Sequence, residues 1–299
     1  MKVAFLVQAH NQPAHLARLI RALSCEQFSF FVHIDGKTDI TEFRNLAARL
    51  QNVHFMEQRE RVFYGGLSQV RATLHLLAAA SKAGIGFGRY CLLSGADFPI
   101  KSKAHIIRCF EESTQQLMRV DRKLEGEARN PHFENIERYF INDTALLNWR
   151  TGSQFKRYFA FQAILPQRKF IEGITPYHGS GWWCLTKGCV DYILEFLNSN
   201  FNYARFFRYA KSSDEIFFHS IVKASPFAKQ ISHDFERGTA VGNDHGSHYI
   251  DWTPRGAALP KVLDEGDLGS LMESGALFAR KFDENKSRKL LEVLEDSLK

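Results

Sequence analysis

The first thirty-seven residues constrain the fold more than any other stretch. Val3 to Val7 is an uninterrupted apolar run, as a parallel strand buried on both faces requires. A polar turn, Gln8 to Pro13, follows, and then Leu16, Leu19, Ile20 and Leu23 recur at helical spacing. A second apolar run, Phe28 to Ile34, ends in Asp35-Gly36-Lys37. Strand, helix and strand in that order form a β-α-β unit, and open α/β sheets bind ligands in the loops that follow the strands. The first such turn, Gln8-Ala9-His10-Asn11-Gln12, contains no glycine, which argues against a dinucleotide-binding dehydrogenase.

The alternation continues. Val53 to Met56 reads as a strand, and Leu67 to Ala83 as a helix stopped by Gly84. Tyr90 to Leu93 is another buried strand, leading into Ser94-Gly95-Ala96-Asp97, and Lys103 to Glu112 is a helix. Residues 1–115 therefore read as a nucleotide-binding half of one α/β domain. At 299 residues, 44% of them apolar, the chain can bury one substantial core.

Residues 117 to 178 are less regular and carry Arg119, Arg122, Lys123, Arg129, Arg138, Arg150, Lys156, Arg157, Arg168 and Lys169. They read as a partly looped segment over the active site, or as a solvated face. Gly179 to Leu185 reads as a strand entered through a glycine turn, and Lys187 to Asn198 as a helix. Ser212-Ser213-Asp214-Glu215 is expected to open a helix running to about Val222. Ser212 or Ser213 would cap it and the two acids would meet its positive end. Residues 247 to 252 read as extended, and the tail after Arg280-Lys281 as an amphipathic helix over Asp283 to Leu298.

Charge narrows the partners. A net charge of +6 suits nucleic acid, an anionic membrane surface or a phosphorylated small substrate. The absence of a long basic tract, of zinc-finger spacing and of an RNA-binding aromatic signature removes nucleic acid. The five cysteines, Cys25, Cys91, Cys109, Cys184 and Cys189, lack metal-ligand spacing. They read as reduced, small hydrophobes in a cytoplasmic protein. Gln8, His10, Asn11 and Gln12 interrupt the opening apolar run, so a first strand is expected there instead of a signal peptide. No apolar stretch is long enough to span a bilayer.

Transfer of a sugar from a nucleotide needs a carboxylate to deprotonate the acceptor hydroxyl, positive charge for the leaving diphosphate, and a pocket for the nucleoside. Asp35 ends a strand and suits a ribose or base, though an Asp before Gly equally marks a turn. Asp97 resembles the acid of a metal-binding transferase site, but it stands alone after Gly95-Ala96. Ser180, Trp182 and Trp183 offer small and aromatic surface to a sugar; strand alternation puts one indole inward and the other outward. Asp214 and Glu215 supply carboxylates, and Arg280 and Lys281 supply charge.

These segments, in this order, resemble the core-2/I-branching β-1,6-N-acetylglucosaminyltransferase family, which also contains peptide xylosyltransferases. The likeness is carried by His33-Ile34-Asp35-Gly36-Lys37, Phe63-Tyr64-Gly65-Gly66-Leu67-Ser68, Leu93 to Ser102, Ser213-Asp214-Glu215 and Leu277 to Asp283. Leu67 stands where the family usually has Trp, and Ser94 where some animal members have cysteine. The resemblance implies a GT-A-like fold with a mixed central sheet, residues 1–115 forming a Rossmann-like nucleotide-sugar-binding half and residues 116–299 the acceptor-binding and catalytic half. It implies inversion at the anomeric carbon without a required metal cofactor, basic side chains replacing an Asp-x-Asp-bound ion. Carried over by position, Glu215 is the general base and Lys281 meets the diphosphate, with a second basic residue between Arg255 and Lys261, Lys261 favoured. Gln8, His10, Asp35, Lys37, Tyr64, Asp97 and Arg280 complete the expected UDP-sugar site. Ser180, Trp182, Trp183, Asp214 and Trp252 form the expected site for a glycan or glycolipid acceptor. A soluble bacterial member is expected, cytoplasmic and in peripheral contact with an anionic membrane. The competing readings are a metal-dependent transferase using Asp97 and a non-catalytic carbohydrate-binding protein on the same fold.

Overall fold

The apolar runs at the start of the chain become adjacent parallel strands: β1 (Val3–Ala9), β2 (Phe28–Ile34), β3 (Val53–Phe55) and β4 (Arg89–Ser94). The computed structural model describes residues 1–125, 132–141, 143–144, 164–253 and 259–298. Helices α1 (Pro13–Leu23) and α3 (Leu67–Lys82) cover opposite faces of this sheet, with the short α2 (Thr41–Ala47) between them in sequence. Alternation along β1 shows why. Val3, Phe5 and Val7 pack with Leu16, Leu19 and Ile20 of α1, whereas Ala4 and Leu6 pack with Val70, Leu76 and Leu77 of α3. Both faces are buried, so the strand is apolar from Val3 to Val7.

The order β3-β2-β1-β4 reverses direction at β1, and the crevice beyond the strand ends at such a reversal is the ligand site of open α/β sheets. Gly95 closes this point: its amide donates to the Gln8 carbonyl at 2.8 Å, and a Cβ there would lie 2.6 Å from that of Ala9.

Beyond β4 the sheet turns mixed. Antiparallel β8 (Cys184–Thr186) joins β4, and then come β6 (Gln116–Lys123) and β7 (Tyr177–Gly179), with β9 (Ile231–Asp234) also on β6. A second sheet has the order β10 (Asp244–His245), β11 (His248–Ile250), β12 (Phe278–Arg280) and β5 (Asp97–Pro99). It ties the first half of the chain to the last. Among the described residues, the remaining α-helices are α4 (Lys103–Glu112), α5 (Glu134–Glu137), α6 (Lys187–Ser199), α7 (Phe201–Phe206), α8 (Phe217–Lys223), α9 (Leu268–Glu273) and α10 (Arg288–Ser297). Leu290, Leu291 and Leu294 of α10 share a core with α1 and β1.

The α/β class, the Rossmann-like first half and the mixed central sheet are as expected, and several details differ. β1 runs to Ala9, so Gln8 is a strand residue, not the start of the turn. The segment read as partly looped contributes β6, a full strand of the sheet; its alternation is interrupted by charged residues, of which Arg119 finds backbone and carboxylate partners within the fold. Arg129, Arg150, Lys156 and Arg157 of that segment, and Arg255, lie outside the described residues. Residues 179–185 are not one strand, because Ser180 to Trp183 separate β7 from β8. Cys91 and Cys184, directly opposed across β4 and β8, are joined as a disulfide rather than being reduced thiols.

Candidate active site

Glu215 is delivered by a tight turn. The chain enters through Ser212 in the left-handed region, at φ 51°, and passes through one 3-10 turn, Ser213–Glu215, before α8 begins at Phe217. Buried Ser213 anchors the turn by donating through Oγ toward the carbonyls of Phe207 and Ala210. The expected continuous helix from Ser212 is thus corrected: neither serine caps it by side chain, and Ile216, at φ −122°, separates the turn from α8. The two acids therefore lie on a separate turn ahead of α8 instead of at its first turn.

Their surroundings push them apart. Burial raises Asp214, and the charge of Glu215 adds to this, lifting it to about 7. Burial would also raise Glu215, but a hydrogen bond and charge from His178, with a further bond from Ser212, outweigh it and hold Glu215 below its ordinary value. Nε2 of His178 lies 3.2 Å from Oε2 of Glu215. Neighbouring carboxyls driven in opposite directions mark an acid and a base, and Glu215 is the ionised one. The expected cause, a helix dipole, gives way to an imidazole that the sequence reading did not single out. Gln69 of α3 donates from Nε2 to Oδ2 of Asp214 at 2.9 Å, and Gly181 leaves room for it, since a Cβ there would meet that oxygen at 3.1 Å.

Arg280 comes to the same place from β12. Strand register sets it opposite Asp97 of β5, with Nε 3.7 Å from Oδ1. Its guanidinium lies 4.0 Å above the ring of Trp182, a cation–π contact strengthened by burial. The charge of Asp214 also reaches it. Even so, Nε and Nη1 are buried without a hydrogen-bond partner among the described residues. Unpaired buried donors are costly and rare, which sets this guanidinium apart from the other charged groups of the cluster. Lys281 follows, half-buried.

Asp97 proves to be the support for Arg280. It is fully buried, and its oxygens accept from the Ser94 amide at 2.7 Å, the Ser94 hydroxyl at 2.5 Å and His248 at 3.1 Å. Burial opposes its charge, but Arg280, His248 and Ser94 together hold its carboxyl below the usual range. Fully buried and bonded within the fold on both oxygens, it is not open to a nucleotide, so its expected place as a nucleotide-sugar contact is corrected.

The other expected contacts divide. Tyr64, 91% exposed, stands where Glu215, Asp214 and Arg280 all act on its phenol. Gln8 donates to the Thr73 hydroxyl at 2.7 Å and toward the Gln69 carbonyl at 3.3 Å, which links the end of β1 through Gln69 to Asp214. Asp35, nearly buried, accepts from the Lys37 amide at 2.8 Å and pairs with the Lys37 ammonium at 3.2 Å. Lys37 also lies 4.5 Å above the Phe63 ring. His10 is exposed and uses its carbonyl to hold Thr38.

Lys261 does not turn to the cluster. Its ammonium is clamped 2.7 Å from both oxygens of Asp267, so its expected diphosphate contact is corrected. Trp183 is fully buried against Phe218, also contrary to its expected role with the acceptor; alternation sends it into the core while Trp182 faces Arg280. Ser180 is half-buried and accepts through its carbonyl from His219 at 2.9 Å, and Trp252 is 45% exposed. His178, Gln69 and His248 escaped the sequence reading. His178 directly precedes the Gly179-Ser180-Gly181 turn, and a polar residue there, in an otherwise buried strand, was the available signal.

Comparison with known proteins fits this arrangement. The sequence pattern of the Core-2/I-Branching enzyme family matches residues 3–270. Xylosyltransferase 2 of Canis lupus familiaris is 24% identical over 99% of this chain, which spans 33% of that protein. A β-1,3-galactosyl-O-glycosyl-glycoprotein β-1,6-N-acetylglucosaminyltransferase of Bos taurus is 24% identical over 99% of this chain and 69% of its own. The β-glucuronosyltransferase GlcAT14A of Arabidopsis thaliana is 24% identical over 95% and 61%. The chain therefore spans about a third of the length of the xylosyltransferases it matches. With a match running through β1, the Glu215 turn and the loops around them, the chain belongs to the Core-2/I-Branching enzyme family.

Proposed function

We propose that the chain is an inverting glycosyltransferase that moves a sugar, N-acetylglucosamine or xylose, from a UDP-sugar to a hydroxyl of a glycan or glycolipid acceptor. One observation carries this reading: an ionised Glu215 shares a site with a buried guanidinium, Arg280, whose Nε and Nη1 lack partners. Glu215 takes the proton of the acceptor hydroxyl as its oxygen attacks the anomeric carbon. The bond from that carbon to the β-phosphate oxygen breaks on the opposite face, which inverts the centre. Charge then grows on the diphosphate, where Arg280 and Lys281 gain interaction in the transition state. The nucleoside lies toward β1 and β2, near Gln8, His10, Asp35 and Lys37, and the acceptor near Trp182, Tyr64, Asp214 and Trp252.

The relatives, named for transfer of xylose, N-acetylglucosamine and glucuronic acid, support glycosyl transfer without fixing the sugar. The occupied oxygens of Asp97 favour a site in which a divalent metal is dispensable. The basic net charge suits peripheral contact with an anionic membrane in the cytoplasm, during synthesis of a bacterial surface polysaccharide. UDP release should be measured with UDP-GlcNAc, UDP-xylose, UDP-glucose, UDP-galactose and UDP-glucuronate, with and without a glycan acceptor. The reading predicts acceptor-dependent release with one or two donors, undiminished by excess EDTA. Loss of release in EDTA, restored by Mn²⁺, contradicts the metal-free site.

A further inference from the structure

We infer that His178 is a positioning residue that orients Glu215 and keeps it ionised; this rests on the reading of Glu215 as the base. His178 sits in β7, opposite Arg122 of β6, with its side chain 9% exposed. Its Nε2 is 3.2 Å from Oε2 of Glu215, and its Nδ1 is buried without a hydrogen-bond partner among the described residues. That asymmetry selects the tautomer. A proton on Nδ1 would bury an orphan donor and turn a lone pair toward a carboxylate, whereas a proton on Nε2 makes one charge-assisted bond. The ring of His132 packs against His178, with centroids 4.3 Å apart, and so limits its rotation. His219 of α8 lies behind, fixed by its bond to the Ser180 carbonyl.

The charges around Glu215 come from every side. Asp214, on its own turn, and Tyr64, from the loop before α3, face it; Arg280 of β12 acts on the Asp214 side. Asp121 of β6 and Arg122 act on the histidines. Burial drives His219 down to about 4 and lowers His132, so both neighbours are largely neutral at physiological pH. With burial opposing ionisation, His178 supplies the main donor that favours it. A carboxylate has about four lone-pair sites; the bonds from His178 and Ser212 use two, leaving the others for an acceptor hydroxyl.

The base must be ionised, so activity falls as pH drops through its pKa. Removal of the donor raises that pKa and moves the acid limb toward higher pH. The test is the pH profile of kcat/KM for the intact chain and for His178→Ala, His178→Asn and His178→Gln. In Ala and Asn, the latter too short to reach Oε2, the limb should shift alkaline by about one unit, giving up to about tenfold greater loss at pH values below the limb than at pH 9. Gln, which can still donate, should move the limb back. A loss uniform across pH in any soluble Ala or Asn variant overturns the inference, as does a Gln variant no different from them. Glu215→Gln, run alongside, separates the two ideas. If it is inactive while the limb stays fixed, only the His178 role fails; if it is active, the base reading itself fails.

Discussion

The loops after β1 and β2 and the cluster around Arg280 are joined through Gln69, yet they treat their polar groups in opposite ways. At the first region the chain satisfies itself: Gln8 is bonded to Thr73, and Asp35 to Lys37 and its backbone amide. At the second, Arg280 keeps two buried donors unpaired, and two adjacent carboxyls are pushed to different protonation. A self-satisfied loop holds a shape that a ligand can meet with uniform binding. An unsatisfied one holds energy in reserve for charge that appears during reaction. The first region should therefore govern KM and the second kcat.

The comparison breaks most directly at Arg280. Arg280→Ala should lower kcat by about 10²- to 10³-fold and also destabilise the fold, because Asp97 loses its cationic neighbour. Arg280→Lys should recover stability better than rate, since an ammonium cannot reproduce the planar donors or the stack on Trp182. Steady-state kinetics beside thermal melts would separate the two effects.

The adjacent tryptophans sharpen the contrast next. Trp183→Ala removes a fully buried indole and should cost about 3–5 kcal/mol of stability. Trp182→Ala should leave the melt nearly unchanged while lowering kcat several-fold, because it frees the guanidinium from its ring. Equal effects on melting would show that the two side chains are not divided between core and site.

Asp35→Asn probes the first region and should raise KM for the donor by about tenfold with kcat nearly constant, the signature of uniform binding. Smallest of all, Lys261→Met should change kcat by less than about threefold, since its ammonium serves Asp267. A large fall in kcat at Lys261 would return it to the diphosphate site.

How much of this was legible depended on whether the information was local. Apolar runs and helical spacing marked β1, β2, β4, α1, α3 and α6 because both faces of a central strand, and one stripe of a helix, must be buried. Strand β6 was hidden because its charged residues find partners within the fold, Arg119 among Asp121 and the carbonyls of Gly242 and Asp244. Glu215 and Arg280 stood out from the ordered motifs, but their electrostatics did not. The depression of Glu215 comes from His178, 37 residues away in sequence, and the placement of Arg280 comes from register with Asp97 across 183 positions. Trp183 and Lys261 misled because composition cannot say which way a side chain turns when a buried partner waits on the other side.

The most direct test of the account is turnover of purified Glu215→Gln beside calorimetric binding of UDP to the same protein. The account predicts UDP affinity within about threefold of the unaltered chain and glycosyl transfer reduced by about 10²- to 10⁴-fold. Transfer near the unaltered rate would contradict it.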